Sequence, residues 1–186
     1  MTSPIGRREV LTGITGAALA AASVAGAKAP ASGLDISRLV RTALFVSDID
    51  VATSFYRDLL GLDQLFYSGK FTGPIVGQLL GIPAGATTIA RILKVEGPPF
   101  GMIGLFQVVG GNISRVQKQR GSVNIGESVL VFYMPSLDPL VDRLNASHWQ
   151  ILCPPTSLVP GSREMSFYGP DDVLINVIER NHRAII

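Results

Sequence analysis

Residues 39–62 read LVRTALFVSDIDVATSFYRDLLGL, and this stretch constrains the fold more than any other. Leu39 to Val46 is an apolar run of strand length. Asp48 and Asp50 follow it, and aspartate caps a helix by accepting hydrogen bonds from the first free amides. Val51, Phe55, Leu59 and Leu62 then recur at helical spacing, with Gly61 as a stop signal. The segment therefore predicts a strand to about Val46, an aspartate-containing turn, and a helix over 50–60.

The rest of the chain continues the pattern. Residues 64–71 (QLFYSGKF), 87–96 (TTIARILKVE) and 101–109 (GMIGLFQVV) read as three more strands. A short helical turn is expected over 76–80, and Gly97-Pro98-Pro99 marks a turn. Residues 110–126 are polar and Gly-containing, carry Arg115, Lys118 and Arg120, and read as a linker. The order then restarts. Residues 129–134 (VLVFYM) predict a strand, and Pro139 suits the first turn of a helix running through Leu144. A short strand at 149–152, a loop at 154–161 and strands at 163–168 and 173–179 complete it. Each half has the order βαβββ, and this internal duplication separates the fold from a generic α+β arrangement. The expected organisation is a first module over 38–109, a linker over 110–126 and a second module over 127–181.

Residues 1–31 read differently. Arg7-Arg8 precede a mildly apolar, small-residue run from Val10 to Ala27, and small-residue sites close it. This is the layout of an export signal of twin-arginine type, which would make the protein periplasmic or secreted. A retained membrane anchor is the alternative, and the run is marginal in length for one. Membrane association is thus expected only through an uncleaved signal. Removing residues 1–31 takes three of the 16 basic residues and one of the 14 acidic ones, leaving 13 of each. A balanced chain offers no nucleic-acid surface. The single cysteine, Cys153, allows no internal disulfide and reads as an inert core residue.

Two motifs carry a family resemblance: VSDIDVATSFYRDLLGL at 46–62, and FYGPDDVLINVIE at 167–179, where Gly169 and Asp172 replace the usual Asp and Gly of a closing turn. Together they resemble the vicinal-oxygen-chelate superfamily, which includes glyoxalase I, bleomycin-resistance proteins and extradiol dioxygenases. The resemblance implies an α+β fold in which two βαβββ modules form a curved mixed sheet around a cavity. It also implies a metal held on four inward strand positions. In this chain those positions fall on Arg41, Gly104, Val129 and Asn176. None is a His or a carboxylate, and an arginine cannot ligate a cation. The family metal is therefore expected to be lost, with no cofactor in its place. Glu127 is the best stray ligand, and His148 and His182 read as surface residues.

Strand alternation predicts what lines the cavity instead. Arg41, Ala43 and Phe45 are expected from the first strand, and Met102, Gly104 and Phe106 from the fourth. Val129, Val131 and Tyr133 are expected from the fifth, and Leu174, Asn176 and Ile178 from the last. The candidate ligand-binding residues are Arg41, Phe45, Met102, Phe106, Tyr133 and Asn176, an apolar and aromatic set with a few polar groups. Arg41 would bind an anionic group on a ligand, or be held by an internal salt bridge, or snorkel at the sheet rim. Tyr133 and Asn176 would orient a ligand or serve packing. Three functions follow: a metal-independent binder of a small organic molecule; a glyoxalase-like lyase or isomerase using Arg41, Tyr133 and Asn176 in place of a metal; or an accessory subunit of another exported protein. A homodimer is common in the resembled family. The linker cations are expected to be solvated or to close over an anionic ligand.

Overall fold

The computed structural model describes residues 35–181, so the export segment expected over 1–31 and His182 lie outside the described residues. The strands form two four-stranded mixed sheets. The first has the order β1-β4-β3-β2, with β1 Arg41–Phe45, β2 Gln64–Phe71, β3 Thr87–Lys94 and β4 Met102–Val109. The second has the order β5-β8-β7-β6, with β5 Val129–Met134, β6 Ile151–Thr156, β7 Glu164–Tyr168 and β8 Leu174–Glu179. In each sheet the first and last strands of the module pair in parallel and the other pairs are antiparallel. This is the α+β fold of two βαβββ modules that the residue order implied.

The duplication extends to individual contacts. Asp48 caps α1 (Ile49–Ser54), its Oδ1 accepting from the amides of Asp50 and Val51 at 2.8 and 3.0 Å. From β4, Gln107 accepts from Ile49 N through Oε1 and donates to Ser47 O through Nε2, which fixes the turn from β1 into the helix. In the second module Glu179 on β8 accepts from Leu137 N at 2.9 Å, just ahead of α3 (Asp138–Asn145). The last strand of each module thus holds the entry to that module's helix, using side chains at matching places.

The first helix departs from the uniform helix expected over 50–60. It passes at Phe55 into a π turn, Phe55–Leu59, whose end is marked by a bond from Leu60 N to Phe55 O. Gly61, at φ +85°, then takes the left-handed conformation that ends the helix. The widened turn places Phe55 and Tyr56 side by side in the core. Phe55 lies 4.7 Å from the Trp149 ring and 6.3 Å from that of Phe167. Arg91 on β3 holds the other side of the helix through Asp50 Oδ1 (2.7 Å) and Thr53 Oγ1 (2.9 Å).

One hydrophobic cluster joins the helix-facing sides of both sheets to α1 and α3. Ile103, Leu105 and Leu93 come from the first sheet, and Phe167, Ile175 and Val177 from the second. Leu140 and Leu144 of α3 and Phe55 and Tyr56 complete it. Arg143 of α3 donates to Asp58 O and Leu59 O, the free carbonyls at the end of the π turn.

Two expectations are corrected, and a third is refined. β6 runs through Pro154 and Pro155 to Thr156, where a loop was expected. It is an edge strand with broken register against β7, and an edge tolerates residues that donate no ladder bond. For the same reason Cys153 is exposed and not a core residue, with Sγ 3.7 Å from Thr156 Oγ1. The linker cations are solvated, as expected for Arg115 and Arg120, which are exposed, but each is also paired. Arg115 pairs with Asp171 (2.8 Å), Lys118 with Glu127 (3.0 Å), and Arg120 with Asp172. No helix among the described residues is long and apolar enough to cross a membrane.

Candidate functional site

The sheet faces turned away from the main cluster carry the candidate residues; Arg41, Phe45 and Tyr133 are exposed there, whereas Met102 and Phe106 are buried. On the first sheet, register places Arg41 beside Met102, Ala43 beside Gly104, and Phe45 beside Phe106. The Phe45 and Phe106 rings are 6.0 Å apart. Gly104 has no room for a side chain, because a Cβ would stand 2.8 Å from the Phe106 ring and 3.5 Å from Arg41 Cδ. Arg41 therefore lies along a floor of Ala43 and Gly104 that ends at two aromatic rings. It makes no salt bridge among the described residues and is exposed. The internal salt bridge considered for it is absent there.

Tyr133 and Asn176 lie on the second sheet. Tyr133 pairs with Ile178 and Asn176 with Val131. The Arg180 guanidinium stands 5.5 Å from the Tyr133 ring centre. Asn176 Nδ2 donates to Glu164 Oε2 at 3.4 Å and to Met165 O at 3.3 Å. The six candidate residues thus form two groups, one per sheet. No hydrogen bond among the described residues connects Arg41 with Tyr133 or Asn176.

A cavity of about 420 Å³ opens at the carboxyl end of β1. Ala43, Phe45, Phe106 and Val108 form its sheet side; Ile113 and Val116 of the linker and the 171–173 turn close it. Of the candidate residues only Phe45 and Phe106 line it. The closure is built from charge. Asp171 accepts from Ser47 N at 2.8 Å as well as from Arg115, and Lys118 Nζ also donates to Asp172 O. Asp171 and Asp172 both hold left-handed backbone, φ +54° and +61°, a conformation that aspartate tolerates better than most residues. Hydrogen bonds from Asn124 and Lys118 hold the Glu127 carboxyl below its ordinary range. Beneath this end, burial pushes the Tyr56 phenol well above its ordinary value, with the Asp171 carboxylate adding to the effect. Its hydroxyl is buried without a hydrogen-bond partner among the described residues.

The residues at the four resembled metal positions do not fit a metal. Gly104 and Val129 offer no side-chain donor atom, Arg41 is a fixed cation, and Asn176 offers only one neutral amide oxygen, its Nδ2 donating to Glu164 and Met165. The stray carboxylates are committed elsewhere: Glu127 to Lys118 and Asn124, Glu179 to Leu137 N and Arg163, and Glu164 to Asn176. His148 is exposed, its ring tilted 36° to that of Trp149 at 4.4 Å. Among the described residues no three His, Cys, Asp or Glu side chains come together.

Sequence reasoning missed the linker pairs with 171–172, whose only signal was three cations in one segment and two adjacent aspartates in another. It also missed Thr88, although strand alternation puts it on the same face as Ala90 and Ile92.

Two βαβββ modules, each with its first and last strands paired in parallel, define a fold class before any relative is considered. Residues 38–177 match the family model described as the Glyoxalase/Bleomycin resistance protein/Dioxygenase superfamily, and the chain belongs to that superfamily. A glyoxalase family protein from Bacillus cereus shares the fold at a TM-score of 0.69 and 17% identity, over 79% of this chain and 96% of that one. Glyoxalase I of Leishmania major, described as trypanothione-dependent, gives 0.52 and 16% over 81% and 90%. A glyoxalase I mutant from Zea mays gives 0.53 and 15% over 77% of this chain, which spans 45% of the maize protein. At these identities the likeness is one of fold. No curated protein matches the chain.

Proposed function

We propose that this protein is a metal-independent binder of an amphipathic organic anion, exported by the signal read in residues 1–31. The observation that carries the reading is Arg41: a cation on the exposed edge strand β1, without a carboxylate partner among the described residues, at one end of an apolar strip. Strand rise puts Phe45 about 13 Å along from Arg41. A ligand with a carboxylate at Arg41 and an apolar body of about 10 Å would cross Ala43 and Gly104 and place its far end against Phe45 and Phe106, a span that follows from the same strand rise. A guanidinium can hold a carboxylate through two parallel hydrogen bonds, and charge-assisted bonds of this kind contribute about 1.5–3 kcal/mol.

The test is calorimetric titration with 2-naphthoate, its methyl ester and 2-naphthylacetate, before and after Arg41→Met. The carboxylates should bind more tightly than the ester, and Arg41→Met should weaken them by about tenfold or more, as loss of a charge-assisted bond requires. Arg41 is exposed, so the variant should keep the far-ultraviolet circular dichroism of the parent. Equal affinity for acid and ester, or no change on Arg41→Met in a folded protein, would remove Arg41 from the site.

A further inference from the structure

The segment between β2 and β3 builds a second compartment. Its helix, α2 (Pro74–Leu80), buries none of its residues and has no side-chain cap. Gly73 (φ +106°) and Gly81 (φ +69°) bound it, each with open space around the position a Cβ would take, so both serve backbone conformation alone. The far end of the segment is anchored. A Cβ on Gly111 would lie 3.1 Å from Pro83, and one on Gly110 would lie 3.7 Å from Ala86. Ile75 and Leu79 point outward, 77% and 79% exposed, while Val76 is partly buried on the other side.

Beneath α2 is a pocket of about 640 Å³, lined among others by Phe71, Val76, Gln78, Ile82, Pro83 and Thr88. Among the described residues no charged side chain lines it. Thr88 pairs with Phe71 on β2 and Val108 on β4, and shares the face of Ala90, away from the main core. It is wholly buried, and its Oγ1 has no hydrogen-bond partner among the described residues. A buried hydroxyl without a protein partner is unfavourable in an apolar setting, and Thr88 is among the residues that line this pocket. No described residue lines both this pocket and the one at Phe45.

We propose that the pocket under α2 binds an uncharged small organic molecule carrying one hydrogen-bonding group, such as a ketone carbonyl, which Thr88 Oγ1 engages while α2 acts as the cover. The absence of charge excludes the anions favoured at Arg41, and the apolar walls suit a ring or short chain. The site does not depend on the Arg41 reading.

The test uses 1-indanone and indane as probes, followed by amide shifts in NMR titrations of the full chain. 1-Indanone should give saturable shifts confined to residues 71–88 and their sheet neighbours, and bind at least tenfold more tightly than indane. Thr88→Val should lower 1-indanone affinity to that of indane and leave indane unchanged, while Thr88→Ser should restore the preference. Val76→Trp, which adds bulk on the α2 wall of the pocket and replaces no sheet residue, should abolish both and covers the case in which Thr88→Val fails to fold. Arg41→Met should change neither. Shifts that map to 43–46 and 106 instead, or an unaltered ketone preference in Thr88→Val, would overturn the proposal.

Discussion

Replacing Gly169 with Ala would put a methyl group where the Phe55 ring already lies. The backbone at Gly169 is extended, with φ −93°, so alanine brings no conformational strain there and the effect is purely one of space. The new Cβ would stand 2.9 Å from Phe55 Cε1 and Cζ and 3.1 Å from Ile175 Cδ1. Phe55 cannot retreat easily, since Tyr56, Trp149 and Phe167 surround it at ring distances of 5.0, 4.7 and 6.3 Å. Overpacking a filled core costs about 1–3 kcal/mol. For a chain of this length that is a fall of about 2–12 °C in melting temperature. Thermal melts of the parent, Gly169→Ala, Phe55→Leu and the double variant form a cycle. The Gly169→Ala cost should shrink when Phe55 becomes leucine, with a coupling of about 1 kcal/mol or more. A Gly169→Ala protein that melts with the parent, or a cost that is unchanged beside the smaller leucine of the double variant, would refute this packing account of why glycine replaces the usual residue of the closing turn.

Tyr56→Phe removes a buried hydroxyl without a partner while keeping the ring, so it should be neutral or stabilise by about 1 kcal/mol in a chemical denaturation curve; a clear loss of stability would mean that the hydroxyl is satisfied. Glu127 has a folded-state pKa held down by Asn124 and Lys118, so its stabilising contribution is complete above the ordinary carboxylate range and is lost as pH falls through the depressed value. Glu127→Gln should therefore melt below the parent at pH 7, and the gap should close in acid; a gap that is constant with pH would contradict the sign. The linker pairs are partly exposed and screened by salt. Tryptic cleavage after Arg115 and Arg120 should quicken in 1 M NaCl and in the Asp171→Asn and Asp172→Asn variants, and equal rates would show that these pairs do not hold the linker.

Much of the fold was legible because its signals are local. QLFYSGKF and VLVFYM are bounded by turn residues, and the strands Gln64–Phe71 and Val129–Met134 begin and end where those runs do. Asp48 and Asp50 marked the helix start through the chemistry of capping, and Asp48 is the residue that caps it. The missed features depend on distant partners. Pro154-Pro155 reads as a loop unless the strand is known to be an edge. The π turn is invisible because Phe55 and Leu59 suit either kind of helix. The pairing of Arg115 and Arg120 with Asp171 and Asp172 joins residues more than fifty positions apart. For the site, alternation along the strands identified the open faces. It could not show that Arg41 and Tyr133 would belong to separate sheets, nor that α2 would cover Thr88.

The central claim is that the chain keeps the paired-module fold while its inward positions bind organic ligands without a metal. Its most direct test is elemental analysis of protein purified without chelator, then challenged with Zn, Mn, Fe and Ni and desalted. The account predicts substoichiometric metal throughout, because Arg41, Gly104, Val129 and Asn176 offer no ligand set. One tightly held metal per chain, lost on replacing Glu164 or Asn176, would contradict it.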